Sequence, residues 1–242
     1  MAATAEPPRS FAGRRLRYTA GVGPGRLIVA LAACALAVPG AALADKEKVQ
    51  LVAADQAIAK KSVVRLADLG DPTGWSGGAT KPSPPGSLTC GSYTAKQSDL
   101  VLTGSAAAKW KHAGLEFDSE AQVLRTAAMV RLDWQRTVTH AGIPACLRER
   151  LASSLPKNQK LVSFDRLAFP KVAALTAAFR GVIDVTEPTG TVRVFVDIVA
   201  FGGGRVELTL ITTAAYAARA PIVSAEGRLA QVLIARATPG SA

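Results

Sequence analysis

From Leu175 to Thr213 the chain alternates apolar and polar side chains through three runs joined by short turns, and this alternation restricts the fold more than any other feature. Leu175, Ala177, Phe179, Gly181, Ile183 and Val185 share one side of the first run. Val192, Val194, Val196 and Ile198 share one side of the second, and Val206, Leu208 and Leu210 one side of the third. Successive side chains of a strand point to opposite faces, so each run offers one apolar face to a core. Glu187-Pro188-Thr189-Gly190 and Phe201-Gly202-Gly203-Gly204 form tight reversals, which pairs the runs as antiparallel hairpins. Leu161 to Ala168 reads as a further strand before them. Pro221 then opens a helix whose stripe of Ile222, Ala225, Leu229, Val232 and Leu233 is wide enough to cover a sheet face. Strands in a row followed by a covering helix predict an α+β domain, with an antiparallel sheet of about five or six strands and helices packed on it.

The preceding half fits the same class. Between Gly114 and Leu124, Leu115, Phe117, Ser119, Ala121 and Val123 alternate with Glu116, Asp118, Glu120 and Gln122, which predicts a strand with a solvated polar face. Ala127, Val130, Trp134 and Val138 recur at helical spacing. A second helix starts with Pro144 in its first turn, buries Ile143, Cys146, Leu147 and Leu151, and stops before Pro156. Lys46 to Lys61 reads as a helix that Ser62 closes while capping a short successor through Val63, Val64 and Leu66. The glycines and prolines crowded between Gly70 and Gly86 make residues 62–90 a long loop segment inside the domain.

Residues 1–44 carry an export signal. Arg14, Arg15, Arg17 and Arg26 precede an uncharged stretch from Leu27, then the helix breakers Pro39-Gly40 and the cleavage tripeptide Ala42-Leu43-Ala44. The competing readings are an uncleaved anchor, because Leu27 to Ala44 approaches the roughly 20 residues that span a bilayer, and lipidation of Cys34 in the lipobox-like Leu31-Ala32-Ala33-Cys34. Cleavage leaves 45–242 as one domain outside the cytoplasmic membrane, secreted or envelope-associated, whose membrane contact is the transient one of the signal segment.

That domain holds 24 basic and 17 acidic side chains, a formal charge of +7. Its basic residues are scattered pairs and its aromatics few, which argues against nucleic acid as a partner. Such a domain is drawn to anionic polymers or lipid headgroups by long-range electrostatics. No phosphate loop or His-Glu-x-x-His helix occurs after residue 44, and no catalytic residue, cofactor or metal ligand is assigned. His112 and His140 remain as candidate general bases, both read as exposed. Asp118 and Glu120 share one strand face and are a candidate acid–base pair, with a solvated role on that polar face the plainer reading. Trp75, Trp110 and Trp134 are candidate walls of an apolar pocket, with core packing the plainer role for Trp134.

Cys90 and Cys146 are the two cysteines of the mature chain, an even count that favours a disulfide in an oxidising compartment over two free buried thiols.

Leu66-Ala67-Asp68-Leu69-Gly70 with Trp75, a cysteine soon after, the strand Leu115 to Leu124, a helix and a second cysteine in Cys146-Leu147 resemble a group of exported actinobacterial domains. The group includes the extracellular sensor-like domain of mycobacterial receptor kinases and related lipoproteins, with a fold similar to the PsbP-like α+β sandwich. The chain departs from the receptor members in having no kinase domain and no second cysteine pair. The resemblance implies a non-enzymatic envelope or secreted domain with a sensor-like or ligand-binding role. The expected ligand is a small apolar or amphiphilic molecule, or an envelope component, held between sheet and helices. The rival readings are a secreted hydrolase acting on wall or lipid substrates and a structural protein adhering to anionic wall polymers.

A bridge between Cys90 and Cys146 closes a loop of about 55 residues, for which chain entropy gives about 4 kcal/mol of stabilisation. Replacing either cysteine with alanine should lower Tm by several degrees; an unchanged transition would remove the bridge.

Overall fold

The computed structural model describes residues 45–84, 88–91 and 93–238; the expected signal segment and Cys34 lie outside the described residues. In chain order the elements are β1 (Lys48–Val49), α1 (Ala53–Lys61), β2 (Ser76–Thr80), β3 (Thr89–Cys90), β4 (Tyr93–Thr94), β5 (Val101–His112), β6 (Leu115–Leu124), α2 (Ala127–Trp134), α3 (Ile143–Ser154), β7 (Gln159–Arg166), β8 (Leu175–Glu187), β9 (Gly190–Gly203), β10 (Val206–Ala215) and α4 (Arg219–Ala237). The fold is α+β. One eight-stranded sheet runs β1-β5-β6-β10-β9-β8-β7, with β2 also on β5, and β3 and β4 form a separate ribbon. The sheet exceeds the expected five or six strands because β5, β2 and β1 extend it beyond β6. All its pairings are antiparallel except that of β1 with β5.

Both faces of the sheet are covered. On one, Phe117, Ala121, Val123, Val199, Phe201, Leu208 and Leu210 pack against Ala59 of α1 and Leu229, Ala230 and Leu233 of α4. On the other, Leu151 of α3 packs on Phe164, Phe179, Ile183, Val185 and Val194, while Val130 of α2 meets Leu102 and Leu124. Burying each such Leu, Phe or Val is worth about 1.5–3 kcal/mol. Gly104 sits where β5 bulges against β6, and a Cβ there would meet the Asp55 carbonyl oxygen at 2.4 Å, so its lack of a side chain lets the α1 backbone lie directly on β5.

Several sequence expectations are corrected. The helix expected over Lys46–Lys61 begins only at Ala53, because Lys48 and Gln50 donate backbone hydrogen bonds to Leu100 and Leu102 and draw this segment onto β5. Ser62 does close α1, its hydroxyl donating to Ile58 O at 2.7 Å, but the successor is a single 3₁₀ turn over Leu66–Leu69. Within the expected 62–90 loop, Ser76–Thr80 forms β2 and adds to the edge of β5 despite its glycines. Gly202 and Gly203 belong to β9, and the reversal narrows to Gly204 and Arg205. On α4, Val232 is 42% exposed. Glu226 is fully buried instead.

Glu226 faces an ionic pair on the sheet. Arg180 donates to both oxygens of fully buried Asp197, at 2.6 and 2.5 Å, and its guanidinium lies 4.5 Å from the centre of the Phe195 ring. Burial first, and the Asp197 charge second, push the Glu226 carboxyl up to about 8, although Thr212 and Arg180 pull the other way. The folded state therefore holds a proton that the unfolded chain, near 4.5, releases. The stability linked to it is complete below about 4.5 and lost as pH rises through about 8. Thermal melts from pH 5 to 9 should show Tm falling with pH, and Glu226→Gln should make that fall shallower; an identical slope in the variant would remove Glu226 from the account.

Candidate binding cavity

The antiparallel register assembles a polar patch on the sheet face under α2. Lys109 of β5, Asp118 of β6, Ile211 of β10 and Ile198 of β9 stand in one row across the strands. The next row is Ala107, Glu120, Thr209 and Ala200, and the one after it is Ser105, Gln122, Glu207 and Gly202. The polar face expected to be solvated on β6 is partly covered: Glu116 is only 8% exposed, and Asp118, Glu120 and Gln122 are half-buried.

A cavity of about 680 Å³ lies over these rows. Asp133 and Trp134 of α2, with Thr137 and Val138 of the π-helical turn that continues it, line one side. Thr80, Lys81 and Ser83 line another, and Glu47, Leu88 and Gln97 also contribute. Trp134 combines both roles considered for it, being 8% exposed and lining the cavity. Trp75 and Trp110 pack against the opposite core, beneath α1 and α4.

The side of the cavity formed by α2 is held by polar bonds. Arg136 donates to both oxygens of Asp99 at 2.7 and 3.0 Å, and to Lys96 O at 2.7 Å, while Tyr93 donates to Arg136 O at 2.6 Å. The Arg136 hydrogen bonds hold the Asp99 carboxyl down to about 2. Thr126 caps α2, accepting from Met129 N at 3.2 Å. Cys90 and Cys146 stand at disulfide distance, their Cα atoms 5.1 Å apart, which ties the β3–β4 ribbon to α3.

The cavity's charges are unevenly matched. Lys109 contacts Glu116 and Asp118, each at 3.0 Å, and Lys111 reaches Glu116 at 2.8 Å. Among the described residues no cation forms an ion pair with Glu47, Glu120, Asp133 or Glu207. Burial, then the Asp133 and Glu120 charges, push the Glu47 carboxyl up to about 7. Burial also raises Glu120, against hydrogen bonds from Ser83 and Gln122. Glu207 is pushed well above the usual carboxylate range, first by burial and then by Asp133, which accepts its proton in a shared hydrogen bond. Gln97, 2% exposed, donates from Nε2 to Asp133 Oδ1 at 2.8 Å, leaving its Oε1 without a partner. Glu47 Oε2 and Glu207 Oε1 are likewise buried and unpartnered.

Neither histidine lines the cavity. His112 stacks on Trp75 with ring centres 5.2 Å apart. His140 stacks on Tyr93 at 4.1 Å and accepts a hydrogen bond from Gly142 N at Nδ1. Asp118 and Glu120 do line it. The described residues contain no group of three or more His, Cys, Asp or Glu side chains placed to hold a metal ion. Sequence reading missed Glu47, Gln97 and Glu207; only Glu207 carried a signal, as a charged residue within an apolar alternation.

The fold and site together define an α+β domain with a part-polar, part-apolar cavity between one sheet face and its covering helix. No family model matches the chain, and no curated protein matches it. Among solved structures, an uncharacterised protein from Mycobacterium smegmatis, the Rv0999 ortholog, is similar at a TM-score of 0.40 and 12% identity, over 74% of this chain and 98% of that one. A likeness at that level carries no assignment of activity.

Replacing Arg136 with alanine removes the bonds to Asp99 and Lys96 and should cost about 1–2 kcal/mol, read as a lower urea midpoint. Hydrogen exchange should quicken at α2 before α4; equal protection of both helices would contradict the role given to this bond.

Proposed function

We propose that this chain is an exported, non-enzymatic binding module that holds a small amphiphilic molecule between its sheet and α2. The cavity carries the proposal: its volume of about 680 Å³ falls within the 300–1,000 Å³ typical of small-molecule sites. Leu88, Trp134, Val138, Ala200 and Ile211 offer apolar wall beside the carboxylates and Gln97, so one site meets both an apolar and a polar part of a ligand.

Export to the envelope or beyond is supported by the signal pattern in residues 1–44 and by the Cys90–Cys146 pair, which suits an oxidising compartment. No helix among the described residues is long and apolar enough to cross a membrane. A sensor-like role belongs to this reading as the use to which ligand binding is put. The hydrolase reading loses ground because its candidate bases, His112 and His140, lie off the cavity in ring stacks. Adhesion to anionic polymers draws only on the net charge and leaves the cavity without a role.

The test is titration with the neutral dye Nile red, whose emission rises and shifts to the blue in apolar surroundings. The wild-type protein should saturate at one dye per chain. Ala200→Trp, which fills the cavity from β9, should weaken binding at least tenfold while retaining a cooperative melt. Equal binding by a folded Ala200→Trp protein would place the dye elsewhere and contradict the proposal.

A further inference from the structure

The cavity's buried polar atoms that lack a partner are of one kind. Glu47 Oε2, Glu207 Oε1 and Gln97 Oε1 are buried acceptors without donors. Gln97 makes the point independently of the carboxylates. Asp133 accepts from its Nε2, which fixes the amide and leaves Oε1 as the unpartnered atom of a side chain 2% exposed. A buried acceptor whose hydrogen bond goes unmade is destabilising, so a molecule bringing several N–H donors to this spot supplies the bonds that these acceptors lack within the protein. Those acceptors lie among four carboxylates that no lysine or arginine neutralises, so the donors should also carry positive charge. A bare metal ion fits poorly, since no three ligating side chains among the described residues converge on a point.

We infer that the cavity binds the protonated amine of an amphiphilic alkylamine, with N–H donors on Gln97, Glu47 and Glu207 and the alkyl part against Trp134, Val138 and Ile211. This rests on the binding role proposed above and adds the ligand's charge and donor chemistry. The overall field works against it: residues 45–242 carry a formal charge of +7, which favours anions at long range. A preference for a cation must therefore arise in the cavity itself.

The site also makes the affinity pH-dependent. The groups facing the amine are Glu47 ahead of β1, Glu207 of β10, Glu120 and Asp118 of β6, Asp133 of α2, Lys109 of β5 and Lys81 beyond β2. Burial and the neighbouring carboxylates keep Glu47 and Glu207 protonated to higher pH than ordinary carboxyls. Losing those protons creates the charge that an ammonium group neutralises, so amine affinity should rise with pH.

The experiment is competition against bound Nile red by octylammonium, 1-octanol and octanoate, which share a chain length and differ in headgroup. Octylammonium should compete at least tenfold more tightly than octanol, with octanoate weakest. Its advantage over octanol should grow from pH 6 to pH 8.5. Glu207→Gln and Glu47→Gln, each checked for a cooperative melt, should shrink the octylammonium advantage over octanol severalfold. Should Glu207→Gln not fold, Glu47→Gln carries the same test. Spermidine separates the sources of an amine: competition weaker than octylammonium supports an amphiphile, and equal competition overturns the part given to the alkyl chain. Octanol or octanoate competing as well as octylammonium would overturn the charge inference and leave the binding role standing. Failure of all three, with no saturable Nile red signal, would overturn both.

Discussion

The bidentate bond of Arg136 with Asp99, reinforced by Arg136 on Lys96 O and Tyr93 on Arg136 O, ties the π-helical turn that continues α2 to β4 and the segment between β4 and β5, beside a part of the sheet that is not apolar. Helices cover sheets because both lose apolar surface to water. Over β6 and β10 the sheet instead presents Asp118, Glu120, Gln122, Glu207 and Thr209. Val130 anchors α2 on Leu102 and Leu124 at the sheet margin, and the polar bonds span the rest. A cavity persists between those two attachments.

The two halves of this sheet face differ for a reason visible in their register. On β8 and β9, Phe179, Ile183, Val185 and Val194 turn toward α3 and fill the space against Leu151. The same face of β5, β6 and β10 carries mostly polar residues with Ala107 and Ser105 among them, and a cavity lies between it and α2. One continuous sheet thus gives a packed core at one end and an unfilled cavity at the other. The opposite face, packed throughout by α1 and α4, provides the rigid floor. Carboxylates buried without partner cations are tolerated there partly because Glu47 and Glu207 keep their protons readily. A proton is the cheapest counter-charge available, and one that a ligand can replace.

The hairpins β8–β9–β10 were legible because period-two alternation and Gly- or Pro-bearing turns both act locally. The apolar side of β6 was legible for the same reason. Its polar side was misjudged because alternation tells which residues share a face and not what lies above it. Asp118 and Glu120 line a cavity whose other walls come from Thr80, Lys81 and Ser83 and from α2, segments that alternation along β6 does not reveal. The strand β5 escaped notice because its Ala106-Ala107-Ala108 centre lacks the β-branched residues that mark strands, and its pairing with β6 overrides that weak propensity. Gln97 lies in a connecting segment with no periodicity, and only its burial against Asp133 reveals it. Glu226 interrupts the apolar stripe of α4, where Asp197 and Arg180 on strands far away in sequence accommodate it.

The most direct measurement of the central claim is the native mass of the protein isolated from the cells that make it, set against the denatured mass of the same sample. The account predicts an excess in the native spectrum that corresponds to one small amine-bearing molecule per chain and vanishes on denaturation. The same excess should be absent from Ala200→Trp protein isolated in the same way. Identical native and denatured masses for the wild-type chain, or an excess that survives in the cavity-filled variant, would contradict it.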